Sequence, residues 1–159
     1  MGRYLASVED HLVLPAVIRL PVGEEHFRAR QGRHVATPVP VRLLIDTGSK
    51  RTTLIPGIVR HLDPPAGIDA QVVTPLAMGP TTLYWVRLEF PEAGLLPLGP
   101  IQVARLPMPA ALSRFHGLLG RDLLDQWEEF LYEGRRRCYM LRDTPELFGW
   151  LLHHLRHWL

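Results

Sequence analysis

The chain has 159 residues, enough for one domain with a real core. Hydrophobic residues make up 47% and charged residues 21%, ordinary globular usage that excludes global disorder. The formal net charge is +2, and the longest basic run is Arg135-Arg136-Arg137 beside Gly134, a solvated turn rather than a nucleic-acid footprint. A single cysteine, Cys138, excludes a disulfide framework within the monomer, and its alternating surroundings suit a packed strand residue better than a nucleophile. The N-terminus is a poor signal peptide, and no stretch approaches the ~20 apolar residues of a spanning helix. The expected location is therefore the cytoplasm.

Fifteen prolines and thirteen glycines punctuate the chain and favour many short strands over long helices. Residues 13–20 read as a first strand, with Pro15 placing it at an edge or bulge. Residues 23–37, polar and rich in Arg and His, read as a loop or a long hairpin excursion. Residues 39–45 form a buried strand, nearly continuous in apolar side chains. Asp46-Thr47-Gly48-Ser49 follows directly, which puts a carboxylate on a glycine-containing turn at the strand end.

Residues 52–55 are β-rich, Pro56-Gly57 turns the chain, and residues 58–62 suit one helical turn. Residues 70–76 and 81–90 form the two strands of a hairpin around Met78-Gly79-Pro80. Tyr84, Val86, Leu88 and Phe90 share one face at period two. A turn-rich linker over 91–100 leads to a strand at 101–106. Leu118-Leu119-Gly120 is a short strand ending in glycine, and residues 121–130 carry helical spacing through Leu123, Leu124, Trp127 and Phe130. Residues 139–141 belong to a late strand. Thr144-Pro145-Glu146 then starts a helix too apolar to stand free on a surface. His153 and His157, one turn apart on that helix, could share a metal. No carboxylate or cysteine accompanies them, so a polar stripe is the better reading and no metal or other cofactor is expected.

Two segments resemble the retropepsin-like aspartic peptidases. Leu44-Ile45-Asp46-Thr47-Gly48-Ser49 is similar to that family's catalytic loop. Gly117-Leu118-Leu119-Gly120-Arg121-Asp122-Leu123-Leu124 is similar to its two-hydrophobics-then-glycine element with a following short helix. The resemblance implies a mainly β, single-domain closed barrel over residues 1–142, with one short helix after Gly120 and an added C-terminal helix at 143–159. It implies an endopeptidase with Asp46 as the catalytic residue. Thr47, Gly48, Ser49 and Gly120 would support the loop. Met78, Gly79, Pro80, Tyr84 and Trp85 would belong to a flap over the substrate, a peptide or protein bound in extended form.

Metal-free peptide hydrolysis needs a base for water and a proton for the leaving nitrogen. Two carboxylates sharing one proton do both, because like charges in contact cannot both ionise easily and their pKa values split. The chain has one such motif only. Asp10, Asp63, Asp69, Asp122, Asp125 and Asp143 lie in other settings, and the dipole of a helix start explains Asp122. A two-fold homodimer is the simplest source of the second carboxylate.

By the resemblance, Thr47 interlocks with the partner loop. Gly48 lets the backbone approach and bond the carboxylate, and Ser49 bonds its outer oxygen. Lys50 departs from the family pattern, in which an acidic residue often follows the loop and pairs with the arginine after the glycine. Asp122 or Asp125 could pair with Lys50 or Arg51 instead. If Asp46 only shapes an ordinary Asx turn, the alternative is a non-catalytic retropepsin-fold module for peptide binding or dimerisation. A third, less favoured role is docking of the C-terminal helix on a membrane or a partner protein.

Overall fold

The computed structural model describes residues 3–8, 10–74 and 77–143, with the backbone alone at 72–74 and 77–78. The predicted C-terminal helix and its histidines lie outside the described residues. Among the described residues, ten strands and three α-helices occur in chain order: β1 Arg3–Ser7, β2 Val13–Arg19, α1 Val22–Arg30, β3 Val39–Ile45, β4 Thr53–Leu54, α2 Pro56–Leu62, β5 Ala66–Thr74, β6 Ala77–Phe90, β7 Leu95–Arg105, β8 Gly117–Leu119, α3 Arg121–Leu124, β9 Glu129–Glu133 and β10 Cys138–Arg142. No helix among them is long and apolar enough to cross a membrane.

The larger sheet runs β2-β3-β8-β4-β7-β6-β5, and a further β2–β6 pairing closes six of these strands into a barrel. Two contacts are parallel, β3 with β8 and β4 with β7; the others in the ring are antiparallel. Closure removes sheet edges and gives every barrel strand an inward face. Leu14, Ala16 and Ile18 of β2 point in, as do Val41, Leu43 and Ile45 of β3. Val86, Leu88 and Phe90 of β6 join them, on the face the period-two pattern predicts. Pro15 sits where only β3 flanks β2, since β6 joins from Val17 onward. A residue without an N–H is tolerated there.

A second sheet, β1-β10-β9, packs outside the barrel. Its inner residues Tyr139 and Leu141 are buried, and the Tyr139 hydroxyl donates to the Val13 carbonyl. Burial, with Tyr4 beside it, pushes the Tyr139 phenol well above its ordinary range.

Several elements differ from the sequence expectation. The polar stretch 23–37 begins with helix α1, not a loop. It lacks an apolar stripe and is held by charge. Glu24 and Glu25 lie in its first turn and Arg28 and Arg30 in its last. Arg28 is 6% exposed, with Nε 2.5 Å from Glu24 Oε1 and Nη2 donating to the Asp63 carbonyl at 2.5 Å.

Pro56 opens α2 instead of turning the chain, as its fixed φ permits at a first helical position. The predicted linker 91–100 is a turn only as far as Gly94, and β7 already starts at Leu95. The β6–β7 register shifts between Val86 and Leu88 and between Leu88 and Phe90, and these irregularities accommodate Pro97 and Pro100 inside a paired strand. The predicted helix 121–130 stops at Leu124, and Phe130 lies in β9. Leu123, Leu124 and Trp127 still reach the core, so their spacing reported burial rather than helix length.

Candidate active site

The Asp46 loop is built by the parallel pairing of β3 with β8. Leu43, Leu44 and Ile45 face Gly117, Leu118 and Leu119 in register. One residue later the Asp46 amide still donates to the Leu119 carbonyl at 3.0 Å. The chain then turns: the Ser49 amide donates to the Asp46 carbonyl at 3.2 Å, and the Gly48 amide donates to Asp46 Oδ1 at 2.9 Å. That second bond orients the carboxylate. A Cβ on Gly48 would come within 3.2 Å of the same oxygen, so glycine keeps the oxygen uncrowded. Asp46 and Ser49 are half-buried, while Thr47 and Gly48 are exposed.

The segment after β8 holds the loop from its other side. The Arg121 amide donates to the Ser49 carbonyl at 2.9 Å, and the Asp122 amide donates to the Lys50 carbonyl at 3.3 Å. Gly120 makes this approach possible. A Cβ there would lie 2.6 Å from the Arg51 carbonyl carbon and 2.7 Å from its oxygen, both backbone atoms that cannot step aside. Gly117 is under the same constraint, since its Cβ would fall on the Thr53 carbonyl.

Thr52 and Asp122 complete the support, and the sequence reading missed their partnership. Thr52 is fully buried, and its hydroxyl accepts from the Gly120 amide at 3.0 Å while donating to Asp122 Oδ1 at 2.8 Å. The Thr52 amide donates to the same carboxylate at 2.9 and 3.0 Å. Asp122 is therefore a clamp on the strand leaving the loop, not merely a helix-dipole residue. Its signal was present in the sequence as an acidic residue two places after the glycine and a Thr-Thr pair after the loop.

The suggested pairing of Asp122 or Asp125 with Lys50 or Arg51 does not occur. Lys50, Arg51 and Arg121 make no ion pair among the described residues. Within one chain the Ser49 hydroxyl donates to the Arg51 carbonyl at 2.8 Å, not to Asp46.

The predicted flap hairpin is β5–β6, with a register that moves its end. Thr74 pairs with Ala77, Val73 with Met78, Val72 with Gly79 and Gln71 with Pro80. Met78, Gly79 and Pro80 therefore stand inside β6, not at the tip. Tyr84 packs against the barrel core, with the Arg105 guanidinium 5.7 Å from its ring centroid. Trp85 is half-buried on the opposite face, where its Nε1 would lie 3.2 Å from a Cβ on Gly67.

No family model and no curated protein matches the chain. Among solved structures, the crystal structure of a retropepsin-like aspartic protease from Rickettsia conorii superposes with a TM-score of 0.57. The match covers 89% of this chain and 91% of that one, at 12% sequence identity. The chain thus has the retropepsin-like fold: a closed, mixed, six-stranded barrel carrying its Asp-Thr-Gly-Ser loop on the β3–β8 pairing.

Proposed function

We propose that the chain is a homodimeric aspartic endopeptidase whose active site takes one Asp46 from each protomer. The observation that carries this is the Asp46 loop. A carboxylate oriented by the Gly48 amide stands at the end of a barrel strand, braced by the segment around Gly120. The similarity in fold to a bacterial retropepsin-like protease supports the reading.

In the dimer one Asp46 is ionised and its counterpart protonated. The ionised carboxylate takes a proton from water as the water oxygen bonds to the scissile carbonyl carbon. The protonated one donates a hydrogen bond to the carbonyl oxygen, where negative charge develops. Collapse of the tetrahedral intermediate breaks the C–N bond, and the dyad returns a proton to the leaving nitrogen. The exposed Thr47 hydroxyl is free to engage the partner loop. Peptide substrate lies under the β5–β6 hairpin, in the cytoplasm.

The test is Asp46→Asn assayed on a peptide library between pH 3 and 8, with oligomeric state measured in parallel. Cleavage by the parent and none by the variant, with the dimer intact, supports the peptidase. One observation favours the alternative of a non-catalytic binding module: the Gly48–Asp46 bond is also an Asx turn, sufficient by itself to shape the loop. Absence of cleavage by the parent across the whole range selects that alternative.

A further inference from the structure

A cavity of about 710 Å³ opens on the outer face of the β2–β3 hairpin, and no residue of the Asp46 loop lines it. Its floor is apolar and formed by outward residues of both strands, including Pro15, Val17 and Pro40. The size falls in the range of small-ligand sites, about 300–1,000 Å³.

One end is rich in donors. The ring of Phe115, 1% exposed, carries two guanidinium groups, with Arg114 Cζ at 5.0 Å and Arg42 Cζ at 5.7 Å from its centroid. Arg114 Nη2 lies 2.9 Å from His11 Nδ1, and the Arg42 amide donates to His116 Nδ1 at 3.0 Å. A guanidinium and a backbone N–H can only donate, so both Nδ1 atoms accept. Two guanidiniums and two imidazole rings line this end. Asp10 reaches Arg114 only at 3.8 Å, and Arg42 has no ion pair among the described residues.

The other end is acidic. Glu92 lines the cavity in the turn just beyond β6, the strand that pairs with β2 from Val17 onward. In the order β6-β2-β3-β8, Glu92 follows the first strand and His116 precedes the last, so the acidic and cationic ends lie on opposite sides of the β2–β3 pair.

The third wall is a strand edge. Four consecutive residues of β1, Tyr4 to Ser7, line the cavity, and among the described residues β1 pairs only with β10. Its direction matches the charge axis. Arg3 pairs with Arg142, next to Asp143, whose carboxylate accepts from the Leu96 amide near Glu92. From Ser7 the chain continues to Asp10 and His11 at the cationic end.

The geometry points to a binding site for a short extended peptide with free termini. Its backbone adds to the edge of β1 that carries no strand among the described residues, its carboxylate lies between Arg42 and Arg114, and its ammonium lies toward Glu92. The four β1 residues that line the cavity, Tyr4 to Ser7, offer a pairing length of about four residues. Backbone pairing supplies affinity and the two charged ends set length and polarity, the logic of strand addition. The site is independent of the proposed catalysis.

The experiment is calorimetric titration of the full chain carrying Asp46→Asn, so that no peptide is hydrolysed, with tetra-alanine as probe. Free-acid tetra-alanine binds, and its C-terminal amide binds at least about tenfold more weakly. Arg42→Gln removes that preference, and so does Arg114→Gln, while both variants keep the parent melting profile. Glu92→Gln weakens the free peptide and leaves the N-acetylated one unchanged. Equal binding of acid and amide overturns the proposal, as does no binding at millimolar peptide. Acetate binding as tightly as the peptide overturns it too, leaving a bare anion site, and a second copy of the chain displacing the probe assigns the β1 edge to self-association instead.

Discussion

Asp122 holds Thr52 through both carboxylate oxygens, accepting from the Thr52 amide at 2.9 and 3.0 Å and from its hydroxyl at 2.8 Å. Thr52 has no solvent exposure, so water cannot replace these bonds. The clamp ties the strand leaving the Asp46 loop to the helix after Gly120. Asp122→Ala should cost about 2–4 kcal/mol, because it orphans buried donors that bonded a charged acceptor. Asp122→Asn keeps one acceptor oxygen and should cost less. Urea unfolding of both variants checks the order.

Gly120→Ala should be more damaging than its size suggests. The new methyl group would stand 2.6 Å from a backbone carbon of Arg51, so the Asp46 loop and α3 must separate. A loss of at least about 2 kcal/mol is expected from such overpacking. Cleavage activity should fall further than stability, because the displaced element positions the carboxylate. Comparing activity with folded fraction at one temperature separates the two effects.

If each active site needs two Asp46 side chains, activity depends on pairing statistics. Equal amounts of parent and Asp46→Asn, allowed to exchange subunits, should retain about one quarter of the parent activity per total chain. A site complete within one chain would retain about half. Specific activity should also fall on dilution, and a dilution series read beside sedimentation shows whether the loss follows dimer dissociation.

Arg28 is a buried cation bonded to the Glu24 carboxylate and the Asp63 carbonyl, with the Asp63 carboxylate 3.8 Å away. Arg28→Ala leaves both acceptors without their donor and should cost about 3 kcal/mol. The loss belongs to the docking of α1 against the end of α2. Hydrogen exchange should rise first in those two helices.

Tyr139 makes stability sensitive to alkali. Its folded-state pKa is raised by burial, so the folded chain keeps the phenolic proton when the unfolded chain has lost it. The unfolded state then binds fewer protons, and stability falls as pH rises above the unfolded value of about 10. The slope should approach about 1.4 kcal/mol per pH unit. Tyr139→Phe should flatten that slope while losing about 1 kcal/mol at neutral pH, because the Val13 carbonyl loses its donor. Denaturant midpoints between pH 9 and 11 measure both effects.

Residues that report on their own immediate surroundings were legible in the sequence. The alternation in β2 and β6, the apolar run of β3 and the two glycine-bearing motifs are local signals, and the barrel strands they mark lie where the pattern puts them. Elements held by charge or by distant pairing were not legible. Helix α1 has no apolar stripe, β1 exists through its register with β10, and the end of the flap hairpin depends on which residues of β5 and β6 face each other. Hydrophobic periodicity carries no record of register, because a shift of pairing leaves the local sequence unchanged.

Local chemistry in the sequence determined that Asp46 ends a buried strand on a glycine turn, and that the chain holds one such loop. Only the tertiary structure decided what braces it. It brought Gly120 against the Arg51 carbonyl, turned Asp122 onto Thr52, left Lys50 without an ion pair among the described residues, and joined residues from 4 to 116 around one cavity. The physical reason is that a side chain's partner is fixed by three-dimensional proximity, and in a closed mixed barrel neighbours such as Thr52 and Asp122 are separated by 70 residues of chain.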